Sequence, residues 1–269
     1  SENVSDFLDK IDKVIPAIVD SLRYLENTDI QLQKALHALH SFVHGAPYPK
    51  ITNIMGDLIP VLLQYLNYSK GNSIGVQKWT MEILSSVVIA ADTKIEAYFD
   101  ELMGPCEMIY KNSPAKQNEL KSQALDTFWH LSKAVGKEKF QPYLQYYTQE
   151  ALNTIQTEDN YCMRETSFSY LCSISKILKD EMAEIIPAIV KACFYTIERD
   201  DIQNKPEKQK MQEYSLDSDS EKEEQVFGKV EAFDEKASAI HCLGYIFHFC
   251  PKQMVEYLED ISQMLFKMI

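Results

Sequence analysis

The sequence predicts an all-α protein, a solenoid of antiparallel helix pairs, and three observations predict it. An apolar segment carrying a proline recurs at a near-constant step. Each copy is followed by a polar break and a second stretch with helical apolar spacing. Eight glycines and ten prolines in 269 residues are too few for strands that must reverse roughly every 8–12 residues.

The elements follow in order. "KVIPAIVDSL" at 13–22 returns as "DLIPVLLQYL" at 57–66 and as "EIIPAIVKAC" at 184–193, and "LMGPCEMIY" carries Pro105. Pro16, Pro60 and Pro105 stand 44 and 45 residues apart, and Pro187 lies 82 further on, two steps of 41. This period falls in the roughly 40–47 residues of HEAT-type helical repeats. In each unit a first helix, A, is followed by a break: "ENTD" at 26–29, "SKGNS" at 69–73, "NSPAKQ" at 112–117, "TEDN" at 157–160. A second helix, B, comes next, with apolar residues such as Leu120, Ala124, Phe128, Leu131 and Val135 on one face. Asp29, Ser73, Ser113 and Asp159 are expected at or near helix N-caps, and Gly45 and Gly136 where helices stop. Helix pairs of this size cannot bury their apolar faces alone, so they must stack. The expected array runs 1–47, 48–93, 94–137, 138–180 and 181–250, with a partial repeat at 251–269.

The fifth repeat is about thirty residues too long. Its A helix is expected at 181–200 and its B helix at 233–249, so the excess is an inserted acidic loop at 203–229 containing "YSLDSDSEKEEQ". The chain opens without an evident polar cap and closes on an apolar helix lacking a partner, which predicts a fragment of a longer superhelix.

Composition narrows the function. The net charge of −13 and pI near 4.9 argue against direct DNA or RNA binding, which needs the opposite sign, and suit a basic protein partner. "SENVSDFLDKIDKV" lacks the basic and apolar regions of a signal peptide, and no segment has the roughly 18–20 apolar residues of a membrane span. Cys106, Cys162, Cys172, Cys193, Cys242 and Cys250 are scattered without a CxxC pair, as buried thiols of cytosol or nucleus. No phosphate loop, GxSxG, HExxH or nucleophile–base pair is present, so no catalytic residue or cofactor is expected. His37, His40 and His44 share a helix face, but no acid or cysteine stands beside them at ligand spacing, so no metal is expected.

Several stretches are similar to a known family. "KSQALDTFWHLSKAVGKEKFQPYL" at 121–144, above all "AVGKEKF" at 134–140, resembles the middle of importins of the karyopherin-beta superfamily, in the branch that carries ribosomal proteins and core histones. "VQKWTMEILSSVVIAADTKIEAYFDELM" at 76–103 resembles the repeat before it, and "EAFDEKASAIHCLGYIF" at 231–247 the B helix after the family's acidic loop. The resemblance implies a nuclear transport receptor, shuttling between cytoplasm and nucleus. It would bind basic signals of cargo on its concave surface and release them to Ran-GTP, with nucleoporin FG repeats as further partners of the full-length protein.

In such solenoids the B helices line the concave side. At about 100° per residue, the positions opposite the core stripe are His37 and Ser41, Lys78 and Glu82, Ser122, Asp126 and Trp129, Tyr161 and Glu165, and Glu231, Asp234, Ser238 and His241. Glu82, Asp126, Glu165 and Asp234 thus form a candidate ladder for an extended lysine/arginine-rich peptide, with Trp79 and Trp129 beside it to cover cationic stems. Exposed helix faces also carry acids merely for solvation, so spacing alone fits both readings. In the loop, Asp217, Asp219, Glu221, Glu223 and Glu224 can hold basic cargo or simply be solvated. Ser218 and Ser220, each with a glutamate three residues on, are candidate phosphorylation sites that would deepen the charge. Against the receptor stands a second class of function, a HEAT-repeat scaffold that assembles a complex through apolar rims.

Overall fold

The computed structural model describes residues 2–24, 29–66, 73–114, 117–157, 160–199 and 220–267. Among them every regular element is helical, in the arrangement of a HEAT-repeat solenoid. The chain forms two compact units, Ser1–Pro142 and Tyr143–Ile269.

In the first unit, α1 (Glu2–Tyr24) pairs with α2 (Asp29–Gly45), α3 (Tyr48–Leu66) with α4 (Ile74–Ala91), and a 3-10 turn (Asp92–Tyr98) leads into α5 (Phe99–Asn112). The A helices α1, α3 and α5 touch in sequence, and α2 packs on α4, giving two layers. α2 buries Leu32, Leu36, Leu39 and Val43, a single stripe. α4 lies against both α2 and α3, and so buries a far wider arc, from Val76 and Met81 through Thr80 and Ser85 to Ala91. Between α5 and the next helix, Tyr110 meets Phe128 edge-on at 6.1 Å, a pairing that contributes about 0.5–1.5 kcal/mol beyond its buried area.

The helical run α6 (Asn118–Thr157) is broken at Gly136, whose φ is 74° and ψ −176°. In the second unit come α7 (Tyr161–Leu178), a 3-10 turn (Lys179–Glu184), α8 (Ile186–Glu198), α9 (Ser220–Phe249), the short α10 (Pro251–Met254) and α11 (Leu258–Lys267). Both α7 and α8 pack on α9. α9 begins thirteen residues before the expected 233, inside the stretch read as loop.

The prolines do not all act alike. Pro16, Pro60 and Pro105 lie inside their helices, where each removes a backbone bond. Pro187 instead opens α8 in its first turn, a position with no such bond to lose. The caps divide too. Ser73 accepts from the Val76 N–H as expected. α7 is capped by Asn160, which accepts from Met163 N–H, and Asp159 lies outside the described residues. Ser113 closes α5 instead of opening α6, its N–H donating to the Ile109 carbonyl. Among the described residues no cysteines are joined in a disulfide; five are buried and Cys162 is half-buried.

Side-chain bonds betray the repeat. Tyr65 Oη donates to the Leu22 carbonyl at 2.6 Å, 43 residues away. Ser85 to Asp126 spans 41 residues, and Lys139 to the Glu96 carbonyl spans 43. In the second unit the same kind of bond spans 71, from Arg164 to Glu235 and from Cys250 to the Lys179 carbonyl. The excess of about thirty is the insertion that the sequence shows.

The turns from a B helix to the next A helix share a backbone device. Asp92 (φ 47°), Gly136 (φ 74°) and Lys179 (φ 48°) follow one another at 44 and 43 residues, all at positive φ. Only glycine adopts this region without strain. A Cβ on Gly136 would meet nothing within 4 Å, so its penalty is purely that of the backbone. Gly136→Ala is therefore expected to destabilise the protein by about 1–3 kcal/mol, read as a lower urea midpoint.

Candidate functional site

The B helices of the first unit carry a row of polar and aromatic side chains. Trp79 on α4 is met by two rings of α2, His37 at 4.3 Å and His40 at 5.6 Å between centroids. His40 Nε2 stands 3.9 Å from Glu82 Oε2. Burial holds the His40 pKa below its ordinary value; the charge of Glu82 opposes this, while His44 and His37 add to it. His40 is therefore neutral at pH 7 and is no counter-ion for Glu82.

One helix on, Ser85 Oγ donates to Asp126 Oδ2 at 2.8 Å. His130 Nε2 lies 3.6 Å from the same oxygen, and burial, with help from Lys133, pushes the His130 pKa down to about 4. This contact is therefore no ion pair at neutral pH. Burial raises the pKa of Asp126, and the Ser85 bond only partly offsets it. Among the described residues no cation stands within ion-pair distance of this carboxylate. Trp129, one turn away, carries the ammonium of Lys133 at 5.1 Å from its ring centroid.

In the second unit, Glu165 of α7 faces α9. Burial raises its pKa, Asp234 and Glu235 raise it further, and a bond from Ser238 opposes them. Beside it Arg164 and Glu235 form a forked pair, Nε to Oε1 and Nη2 to Oε2, each 2.6 Å. Both side chains are 3% exposed, whereas Asp234 is solvent-exposed.

The structure thus places Glu82, Asp126 and Trp129 on one layer of the first unit, and Glu165 and Asp234 together in the second. Glu82 and Asp126 are more recessed than an open ladder, at 18% and 31% side-chain exposure, and both tryptophans already have partners from the chain itself. Glu221, Glu223, Glu224, Glu231 and Ser220 fall on α9, but their side chains lie outside the described residues, as do Asp217, Ser218 and Asp219. Ser85, His130, Lys133, Arg164 and Glu235 were not read from the sequence. Adding the repeat step would have found some of them: Ser85 and Asp126 are 41 residues apart, and Lys78 and its ion-pair partner Glu119 also 41. On the A layer, Leu63 and Leu66 of α3 with Gly104, Pro105 and Met108 of α5 line an open, mostly apolar cleft of about 600 Å³. Among the described residues no three His, Cys, Asp or Glu side chains converge as metal ligands.

No family model matches the chain. It is 25% identical over 170 residues, 63% of its length, to a probable importin subunit beta-4 of Schizosaccharomyces pombe. To importin subunit beta-3 of Saccharomyces cerevisiae it is 25% identical over 203 residues, 73% of its length. The chain is thus similar in sequence to importin beta subunits. It spans 16% and 18% of the length of these two relatives. Its fold matches the crystal structures of Kap121p, at TM-score 0.70 and 21% identity over 94% of this chain and 24% of that one. Kap121p bound to RanGTP gives 0.69, at 21% identity over 93% and 24%. Kap121p bound to Pho4p gives 0.71, at 20% identity over 94% and 24%.

Two outcomes follow for this helical array. Removing one partner of a buried ion pair strands the other. Arg164→Leu is thus expected to lower stability by about 3–5 kcal/mol, and Arg164→Leu/Glu235→Leu to recover most of that loss, measured by urea unfolding. The lowered pKa of His130 sets the second. As pH falls from 6.5 towards about 4, the unfolded chain takes up a proton that the folded one refuses, so stability falls through this window. His130→Gln is expected to flatten that slope in urea midpoints recorded from pH 7 to pH 4.

Proposed function

We propose that this chain is the cargo-binding part of a nuclear import receptor. Its B-helix layer takes the basic localisation segments of proteins such as histones and ribosomal proteins, and Ran-GTP drives their release in the full-length protein. The role is one of binding, without catalysis, in a receptor that shuttles between cytoplasm and nucleus. The observation that carries this is electrostatic. Asp126 and Glu165 are carboxylates drawn partly out of water, with their pKa values raised by burial and, for Glu165, by neighbouring acids. Such groups gain most from an incoming ammonium or guanidinium, because each charge-assisted bond is worth about 1.5–3 kcal/mol. The overall −13 charge adds long-range attraction for the same ligands. Further support comes from the importin names of the relatives and the RanGTP and protein complexes of Kap121p. The apolar cleft between α3 and α5 is the place we assign to nucleoporin FG repeats, whose small aromatic groups fit beside Gly104.

The test is titration of the protein with a lysine-rich peptide at low and high salt. Binding is expected to weaken strongly with salt. Asp126→Asn and Glu165→Gln, which keep side-chain size, are each expected to weaken it about tenfold. Equal, weak and salt-insensitive binding by the parent and both variants would sink the receptor reading in favour of the scaffold.

A further inference from the structure

Lys133 is a cation on the face that is proposed to receive cations. It lies on the same helix as Asp126 and Trp129, is solvent-exposed, and holds its ammonium 5.1 Å from the centre of the Trp129 ring. Among the described residues no carboxylate stands within ion-pair distance of it. Asp126, two turns earlier, is the acid nearest to this ring along the helix, yet its Oδ2 accepts from the Ser85 hydroxyl and has a neutral imidazole 3.6 Å away. The result is an unusual division. The carboxylate that lacks a cation stands three residues before Trp129 on this helix, and the cation that lacks a carboxylate four residues after it.

Their spacing explains why they stay apart. At seven residues and about 100° each, Lys133 and Asp126 share a face but lie about 10 Å apart along the axis. The lysine can reach the ring four residues before it, and the axial separation keeps its ammonium from Asp126. A lysine arriving from another chain is not so tethered. Its stem can lie on the indole while its ammonium meets Asp126, combining the aromatic and the ionic contact in a single residue.

We propose that Lys133 is a built-in occupant of a lysine-binding site formed by Trp129 and Asp126, and that basic peptides bind there by displacing it. This deepens the proposed function and rests on it. Lys133 then sets a threshold. An isolated surface lysine gains too little from the ring to evict it, whereas a peptide that also satisfies Asp126 does. The selected ligand is thus a lysine that spans from the ring to Asp126, and not a cation that reaches the ring alone.

Three variants of the full chain test this with the same lysine-rich peptide, titrated by calorimetry. Lys133→Ala removes the ammonium from the ring, which keeps the His130 imidazole at 3.9 Å, and is expected to tighten binding about two- to fivefold, the range of an exposed cation–π contact. Lys121→Ala removes the same charge from the same helix without touching Trp129, and is expected to change affinity less. Trp79→Phe leaves Trp129 as the sole tryptophan of the two in the chain, so its fluorescence reports occupation of the ring. Emission is expected to shift as the peptide binds. Equal effects of Lys133→Ala and Lys121→Ala, or weaker binding by Lys133→Ala, would overturn the proposal. So would peptide binding, seen by heat, that leaves Trp129 emission unchanged; in all three cases the receptor reading would stand. A parent protein that binds no peptide at all removes both.

Discussion

Everything on the B-helix layer depends on one constraint, the constancy of the step from repeat to repeat. A solenoid buries its core only between neighbours, so a residue can find its partner only if the next helix arrives at the same height and angle. Here the step is kept by short reversals in which Asp92, Gly136 and Lys179 take positive φ at nearly equal spacing. Two of the three are not glycine, so the strain is carried by packing on both sides of the turn. The bonds that span 41 to 43 residues are the consequence. Ser85 can reach Asp126 only because α4 and α6 present the same turn of helix to each other.

That register brings acids into a layer that cannot fully hydrate them. A recessed carboxylate needs either a cation or a cluster of donors, and Asp126 is given one hydroxyl and an imidazole that burial keeps neutral. Glu165 is given a serine and two further acids. Elsewhere the protein shows that it can neutralise a buried acid, since Arg164 meets Glu235 with a complete fork. Glu235 is thus sealed and paired, whereas Glu165, one residue from Arg164, is half-buried and has a serine but no guanidinium. Stability would be served by giving both a guanidinium.

The repeat was legible from the sequence because period, proline and polar break all mark the same boundaries, and each follows from backbone geometry alone. The faces were legible in part. A 100° rotation identifies which residues point away from a single stripe, and it read Glu82, Asp126 and Glu165 as such; they lie half-buried on α4, α6 and α7. It fails on α4 and α7, whose buried arcs are wide because neighbours flank them on more than one side. Asp234 and Glu235 are adjacent acids, and only the packing of α7 against α9 makes one exposed and the other core. Ser113 misled for a similar reason. A serine before a helix and a serine after one look alike in sequence, and the difference lies in whether its own N–H is spent on the helix behind it.

The insertion shows how much disturbance such an array tolerates. Between α7 and α9 the contact step rises from about 41 to 71 residues, yet α9 still packs on α7 as α4 packs on α2. Lengthening a connection costs little, about 0.6 kcal/mol for each doubling, whereas a helix that returned one turn out of place would bury the wrong face. Apolar contacts alone discriminate poorly against such a slip, because a leucine packs nearly as well one turn away. A forked guanidinium–carboxylate pair does not, since a shift of one turn, about 5.4 Å, leaves both charges buried and alone. The buried pair stands next to the insertion because that is where register is most easily lost. By fixing α9 it also fixes the distance between Glu165 and Asp234, so the same two residues that restore the fold after the insertion set the geometry of the acids beside them.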